Sequence, residues 1–167
     1  MAIIKTKDFT LRPIRISDAQ KYADCHKDED AKKNFFSAPS NIKEAEKELS
    51  ENKKFVKRFA IIVNKEFAGF MTLKLNNVAR YKHSAIIGYG LLESFRGKGI
   101  ATKAVKTLTK YAFDELKLTR ITGWCRTFNK ASARVLEKSG YKLEGILRKN
   151  KYVDGKYFDD MVWSKNK

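Results

Sequence analysis

A mixed α/β fold, with a sheet of six or seven strands flanked by about four helices, is predicted by three observations on this 167-residue chain. Aromatic and β-branched runs pair as hairpins, one in the first half and one at the end. Between them, strand-like runs alternate with runs whose apolar residues recur at three and four. No internal repeat and no linker marks a second domain, so residues 1–167 read as one domain.

Residues 9–16 alternate apolar and polar side chains around Pro13, which suits an edge strand. Ser17-Asp18 offers a cap for a helix running to about Lys27. Residues 30–40, with Phe35-Phe36 and Pro39, read as irregular. Asn41 and Glu44 form a capping pattern for a second helix, with Ile42, Ala45 and Leu49 on one face. Residues 55–63 and 67–75 read as a hairpin separated by Asn64-Lys65-Glu66. Residues 83–92 are long and apolar enough for a central strand. After a glycine-bearing stretch, Ile100, Ala104, Val105, Leu108, Tyr111, Ala112 and Leu116 keep helical spacing over four or five turns. Residues 120–125 form a short strand, and Asn129 caps a helix ended by Gly140, with Val135 and Leu136 inward. Residues 141–152 and 156–164 make the last hairpin across Asp154-Gly155.

A hydrophobic fraction of 43%, with eleven Phe and seven Tyr, supplies a core for one domain of this length. Cys25 and Cys125 lie far apart, and Cys25-His26 lacks further ligands at metal spacing, so no metal site is expected and both thiols read as reduced. No apolar run reaches a membrane span and the first residues lack a signal-peptide layout, so a soluble, cytoplasmic protein is expected. The net charge of +17 attracts nucleic acid, anionic surfaces or small polyanions such as nucleotide cofactors. Its lysines are spread along the chain, which points to a generally basic surface.

Residues 94–101 read SFRGKGIA, two glycines and two basic residues at a strand-to-helix junction. The first amides of a helix are unpaired and carry the positive end of its dipole, so they can hold an oxyanion. Gly97 and Gly99 let that anion approach the backbone, and Arg96 and Lys98 add charge at the rim. A pyrophosphate fits this description. The nucleotide P-loop fails because Gly97-Lys98 is followed by Gly99, and the dinucleotide fingerprint fails at Thr102.

Arg96-Gly97-Lys98-Gly99-Ile100-Ala101 fits Arg/Gln-x-x-Gly-x-Gly/Ala and resembles the acetyl-CoA loop of the GNAT N-acetyltransferases. Leu11-Arg12-Pro13-Ile14, Ser17-Asp18-Ala19, Ile87-Gly88-Tyr89, Asn129-Lys130-Ala131-Ser132, Glu137 to Tyr141, Glu144-Gly145, Asp154-Gly155 and Asp159-Asp160 follow in the order of the RimJ/RimL ribosomal-protein branch, across essentially the whole chain. The resemblance implies a sheet splayed between its fourth and fifth strands, with pantetheine in the gap. It assigns acetyl-CoA to main-chain groups near Leu91 and Leu92, to residues 96–101, to Asn129 and to Ser132, with no metal. Many relatives carry a tyrosine acid in the helix after the Asn. Leu136 stands there, and Ser132 occupies the place of the serine acid of the RimJ/RimL branch.

The base stays open among Asp160, Glu93, His83 and water, since Lys151 stands where certain relatives have glutamate. The acceptor implied is a protein N-terminal amine, with electrostatic association to the ribosome and a monomer or homodimer. Polyamines and aminoglycosides are the small-molecule alternatives, and Asp28-Glu29-Asp30 is the acidic cluster that a polycation would seek. A non-catalytic acetyl-CoA sensor and a nucleic-acid module built on Lys53 to Phe59 are the remaining alternatives.

Overall fold

In the computed structural model, residues 2–35, 38–39, 41–51 and 53–167 are described. Their chain order is β1 (Ile4–Lys5), β2 (Thr10–Pro13), α1 (Ala19–Asp24), α2 (Glu29–Asn34), α3 (Ile42–Ser50), β3 (Val56–Val63), β4 (Glu66–Leu75), β5 (Ser84–Leu91), α4 (Ile100–Asp114), β6 (Arg120–Arg126), α5 (Lys130–Lys138), β7 (Lys142–Val153) and β8 (Lys156–Asn166). The strands follow the order β1-β2-β3-β4-β5-β6-β8-β7 in one mixed sheet, in which β5 and β6 run parallel. The residues group into two compact units, Met1–Leu73 with Tyr89–Ala101 and Lys74–Gly88 with Thr102–Lys167.

In the first unit, β2 pairs antiparallel with β3 from Thr10↔Ile62 to Pro13↔Phe59. Ile14 N donates to Arg58 O at 3.1 Å, so the neighbouring Pro13 nitrogen faces the β1 side, where pairing has ended at Ile4↔Leu11. A strand of only two residues has no readable period, and β1 therefore escapes sequence inspection. Asn64 and Lys65 take φ of 48° and 69°, the left-handed pair that a two-residue hairpin turn requires.

The helices of this unit differ from expectation in two places. Asp18 makes no side-chain cap bond to α1; its carboxylate accepts Arg12 at 2.7 Å through both oxygens and Arg15 N at 2.8 Å. Residues 30–34, read as the start of an irregular segment, belong to α2, which is capped by Asp28 accepting from Ala31 N at 3.0 Å. Only Ala31 of this helix is buried, so no apolar stripe announces it. Phe36, Ser37 and Ser40 of that segment lie outside the described residues. As its sequence implies, α3 is capped by Asn41, which accepts from Glu44 N at 3.0 Å. Ala19, Tyr22, Ala23, Cys25, Ala45 and Phe70 form the local core. His26 packs edge-on to Tyr22 and Phe35 with centroids 5.1 and 5.0 Å away, and burial lowers its pKa, while burial also pushes the Cys25 thiol up to about 12.

In the second unit, β5 pairs with β6 from Ser84↔Arg120 to Ile87↔Gly123, and β8 lies antiparallel between β6 and β7. On the covered face, Gly123 stands where any Cβ would meet the Leu136 side chain at 2.6 Å, which fixes α5 close against β6. The Thr109 and Tyr141 hydroxyls share a 2.7 Å bond in the interior, and Gly140, at φ 83°, turns the chain out of α5. Asp154 and Gly155, both at positive φ, close the β7/β8 hairpin as read from the sequence.

Glu144 accepts from Arg120 at 2.8 Å and from Ser164 Oγ at 2.6 Å, and these two partners hold its carboxyl down to about 2. The folded pKa is thus depressed, so this stability is present above the unfolded value near 4.3 and is lost as pH falls toward 2. The pair is solvent-exposed, which keeps its weight small. The Glu144→Gln variant is expected to lose less of its urea midpoint between pH 5 and about 2.5 than the parent does; equal losses would show that Glu144 does not carry this acid sensitivity.

Candidate active site

The backbone of residues 91–101 defines the first half of the site. After β5, a 3-10 turn covers Glu93–Phe95 and Arg96 is extended at φ −73°, ψ 162°. Gly97 and Gly99 follow at φ 73° and 74°, and α4 begins at Ile100. A side chain in the left-handed region costs about 1–2 kcal/mol per residue, which is the local reason for glycine at both positions. A methyl group placed on either Cα touches nothing within 4 Å, so both Cα faces look onto open space. The loop is a shallow cradle of bare backbone that leads into the amino end of a helix 15 residues long, and its exposed amides suit a diphosphate. Lys98 is exposed above this backbone, its ammonium 5.7 Å from the Phe95 ring centroid.

Arg96 has a different position from the rim charge anticipated. Its Nε and Nη2 donate to Leu91 O at 3.1 and 3.0 Å, and its Nη1 and Nη2 donate to Asp28 at 3.0 and 2.6 Å. The guanidinium therefore clamps the loop to the end of β5 and to the start of α2. Leu92 also departs from expectation: its amide donates to Ala68 O at 3.0 Å and its carbonyl accepts from Phe95 N at 2.9 Å. Backbone direction alternates along a strand, so Leu91 N faces away from β4 and is the better-placed group for an extended ligand. Two residues had drawn no attention in the sequence. Gly69 sits so close to β5 that a Cβ would meet Gly90 O at 2.2 Å, and a Cβ on Gly90 would meet the Phe70 ring at 2.6 Å.

Of Asp28-Glu29-Asp30, only Asp28 is tied into the fold, while Glu29 and Asp30 are exposed. Asp28 is committed to Arg96 and to the α2 cap, and Glu29 pairs with Lys32 at 2.9 Å.

The second unit carries Asn129 and Ser132. Asn129 is the N-cap of α5, its Oδ1 accepting from Ser132 N at 3.0 Å. The same bond that starts the helix thus fixes the backbone of Ser132. Burial raises the Cys125 thiol pKa, and Ser132 and Trp163 act against that rise. Replacing Asn129 by Ala removes the cap and is expected to lower folding stability by about 0.5–2 kcal/mol in urea denaturation, whereas Asn129→Asp keeps it. An unchanged Asn129→Ala midpoint would show that the cap contributes nothing. Leu136 is buried against Gly123 and offers no acid where many relatives carry tyrosine.

Three residues weighed as base have clear surroundings. Asp160 is 1% exposed and accepts from Arg126 and from Asn150 Nδ2 at 2.6 Å, so it serves as a buried counter-ion. His83 is exposed and precedes β5, at the opposite end of that strand from Leu91. Glu93 is exposed and opens the 3-10 turn. Lys151 lies on β7 opposite Phe158, directly after a register shift. The structure thus brings Leu91, Leu92 and residues 96–101 together in one unit, and Asn129 with Ser132 in the other.

The Acetyltransferase (GNAT) domain model matches residues 8–142. The probable N-acetyltransferase YjcK of Bacillus subtilis is 32% identical over 176 residues, covering 96% of this chain and 94% of that protein. The ribosomal-protein-serine acetyltransferase of Escherichia coli is 29% identical, covering 66% and 61%, and its spermidine N(1)-acetyltransferase is 29% identical, covering 60% and 53%. Among solved structures, a GNAT-family acetyltransferase from Bacillus anthracis superposes with a TM-score of 0.89 at 23% identity, covering 99% and 98%. RimJ of Mycobacterium smegmatis, in complex with CoA-disulfide, superposes at 0.80 with 25% identity, covering 95% and 81%.

Proposed function

The chain belongs to the GNAT acetyltransferase family, and on that premise we propose that residues 1–167 act as one N-acetyltransferase domain that acetylates protein N-terminal α-amines of the ribosomal-protein type. The donor of the family is acetyl-CoA, and the residues present fit it: the bare cradle at Gly97 and Gly99 is the observation that carries the reading. When bound, acetyl-CoA supplies an acetyl group activated as a thioester.

The main-chain amides of residues 97–101 would hold its diphosphate, with Lys98 adding charge. Leu91 N would bind the extended arm, and Asn129 would add a polar contact. Ser132 Oγ would be the proton donor, its backbone fixed by the Asn129 cap. Asp160 is already occupied by Arg126 and Asn150, which leaves Glu93, His83 or water to take the proton of the attacking amine.

Two observations support a protein acceptor. One similar protein is named as a ribosomal-protein-serine acetyltransferase, and Asp28, one of the three carboxylates a polycation would seek, is committed to Arg96. The charge of +17 favours association with ribosomal RNA and opposes a polyamine. Among the described residues no helix is long and apolar enough to cross a membrane. A small-amine acceptor is the second reading, favoured by the similarity to spermidine N(1)-acetyltransferase.

Free-thiol release from acetyl-CoA with peptides starting in Ala, Ser or Met, beside spermidine and an aminoglycoside, separates them. Release driven by peptides is expected, and release by spermidine alone would replace the first reading with the second.

A further inference from the structure

We propose that Asp28 is a positioning residue for the cofactor loop, holding the glycine cradle in its binding shape through Arg96; this rests on the loop being the acetyl-CoA site. The two residues are 68 positions apart, yet their side chains meet as a two-point ion pair at 3.0 and 2.6 Å. A planar guanidinium bonded through two nitrogens to one carboxylate has a fixed orientation as well as a fixed distance. The remaining reach of that guanidinium goes to Leu91 O, at 3.1 and 3.0 Å. Arg96 N is itself bonded to Glu93 O at 3.0 Å, closing the 3-10 turn. Arg96 is thus held at its backbone and at its tip, and the first left-handed glycine begins at the next residue.

The other end of the clamp is equally anchored. The oxygen of Asp28 that accepts from Arg96 Nη1 also accepts from Ala31 N at 3.0 Å, so one carboxylate caps α2 and orients the loop. The pair is about a quarter to a third exposed, which leaves it reachable by water and places its value in geometry more than in net stability. Without Asp28, the guanidinium keeps Leu91 O and loses its second point of reference. The loop then samples other conformations, and ordering it falls on the ligand.

Asp28→Asn is the informative variant, because Asn caps a helix as well as Asp but cannot form the charged two-point pair. The measurement is acetyl-CoA affinity by titration calorimetry, with kcat and KM for acetyl-CoA at saturating acceptor. The expected result is an acetyl-CoA Kd and KM raised about tenfold, kcat within about twofold and an unchanged melting temperature. Arg96→Gln raises Kd to a similar extent, and adding it to Asp28→Asn raises Kd little further, as for two halves of one device. Parent-like affinity in Asp28→Asn would overturn the proposal and leave Asp28 as a helix cap only. Tighter binding would also overturn it, showing that a released guanidinium is itself a phosphate ligand. If doubly substituting Gly97 and Gly99 leaves affinity untouched, it is the placement of the cofactor on this loop that fails, which separates the two claims.

Discussion

Acetyl-CoA affinity is expected to fall at least about tenfold when Gly97 and Gly99 are both replaced by Val, while far-UV circular dichroism stays that of the parent. Both glycines hold φ near +73°, where a β-branched residue is a true outlier. The strain is on the order of 1–3 kcal/mol at each position and is relieved by a change in the loop's own path. Nothing within 4 Å obstructs the added Cβ atoms, and both positions are exposed, so no core contact is damaged. What changes is the cradle: its amides turn away from a common point, and isopropyl groups occupy the space through which a phosphate approaches. The paired Ala variant carries less strain and less bulk and takes an intermediate value. Calorimetric titration with acetyl-CoA reads both, and parent-like affinity in the Val pair would remove the loop from the binding site.

Ser132→Ala is expected to lower kcat by about 10²–10⁴-fold, the range ascribed to a positioned general acid, with cofactor affinity changed less than about twofold. The backbone amide of Ser132 is held by Asn129 Oδ1 at 3.0 Å. Removing Oγ leaves that cap bond in place, so the variant folds normally and isolates the proton transfer. Single-turnover acetyl transfer measured against pH distinguishes a lost acid from a misplaced ligand. A parent-like rate at all pH values would exclude Ser132 from the chemistry.

The loop was legible in the sequence because its cause is local: the left-handed backbone at residues 97 and 99 accepts little besides glycine, and the helix that follows has an uninterrupted apolar face. The Asn41 and Asn129 caps, read from spacing alone, were legible for the same reason. Features joining distant residues were not. Asp28 reads as part of an acidic run, and nothing nearby says that its partner stands 68 residues on. Asp160 reads as a candidate base until the register sets Arg126 opposite it. β1, with two residues, and α2, with one buried side chain, lack the repeats by which elements are recognised; β1 takes the sheet to eight strands instead of six or seven, and α2 takes the helices to five.

The central claim is that bare backbone at Gly97 and Gly99 holds a cofactor diphosphate, and the most direct test compares acetyl-CoA with S-acetylpantetheine, which lacks the diphosphate and nucleotide. The parent protein is expected to prefer acetyl-CoA by about two orders of magnitude in Kd, and the Gly97→Val/Gly99→Val protein to lose most of that preference while binding S-acetylpantetheine as the parent does. A preference that survives both substitutions intact would place the diphosphate elsewhere and contradict the account.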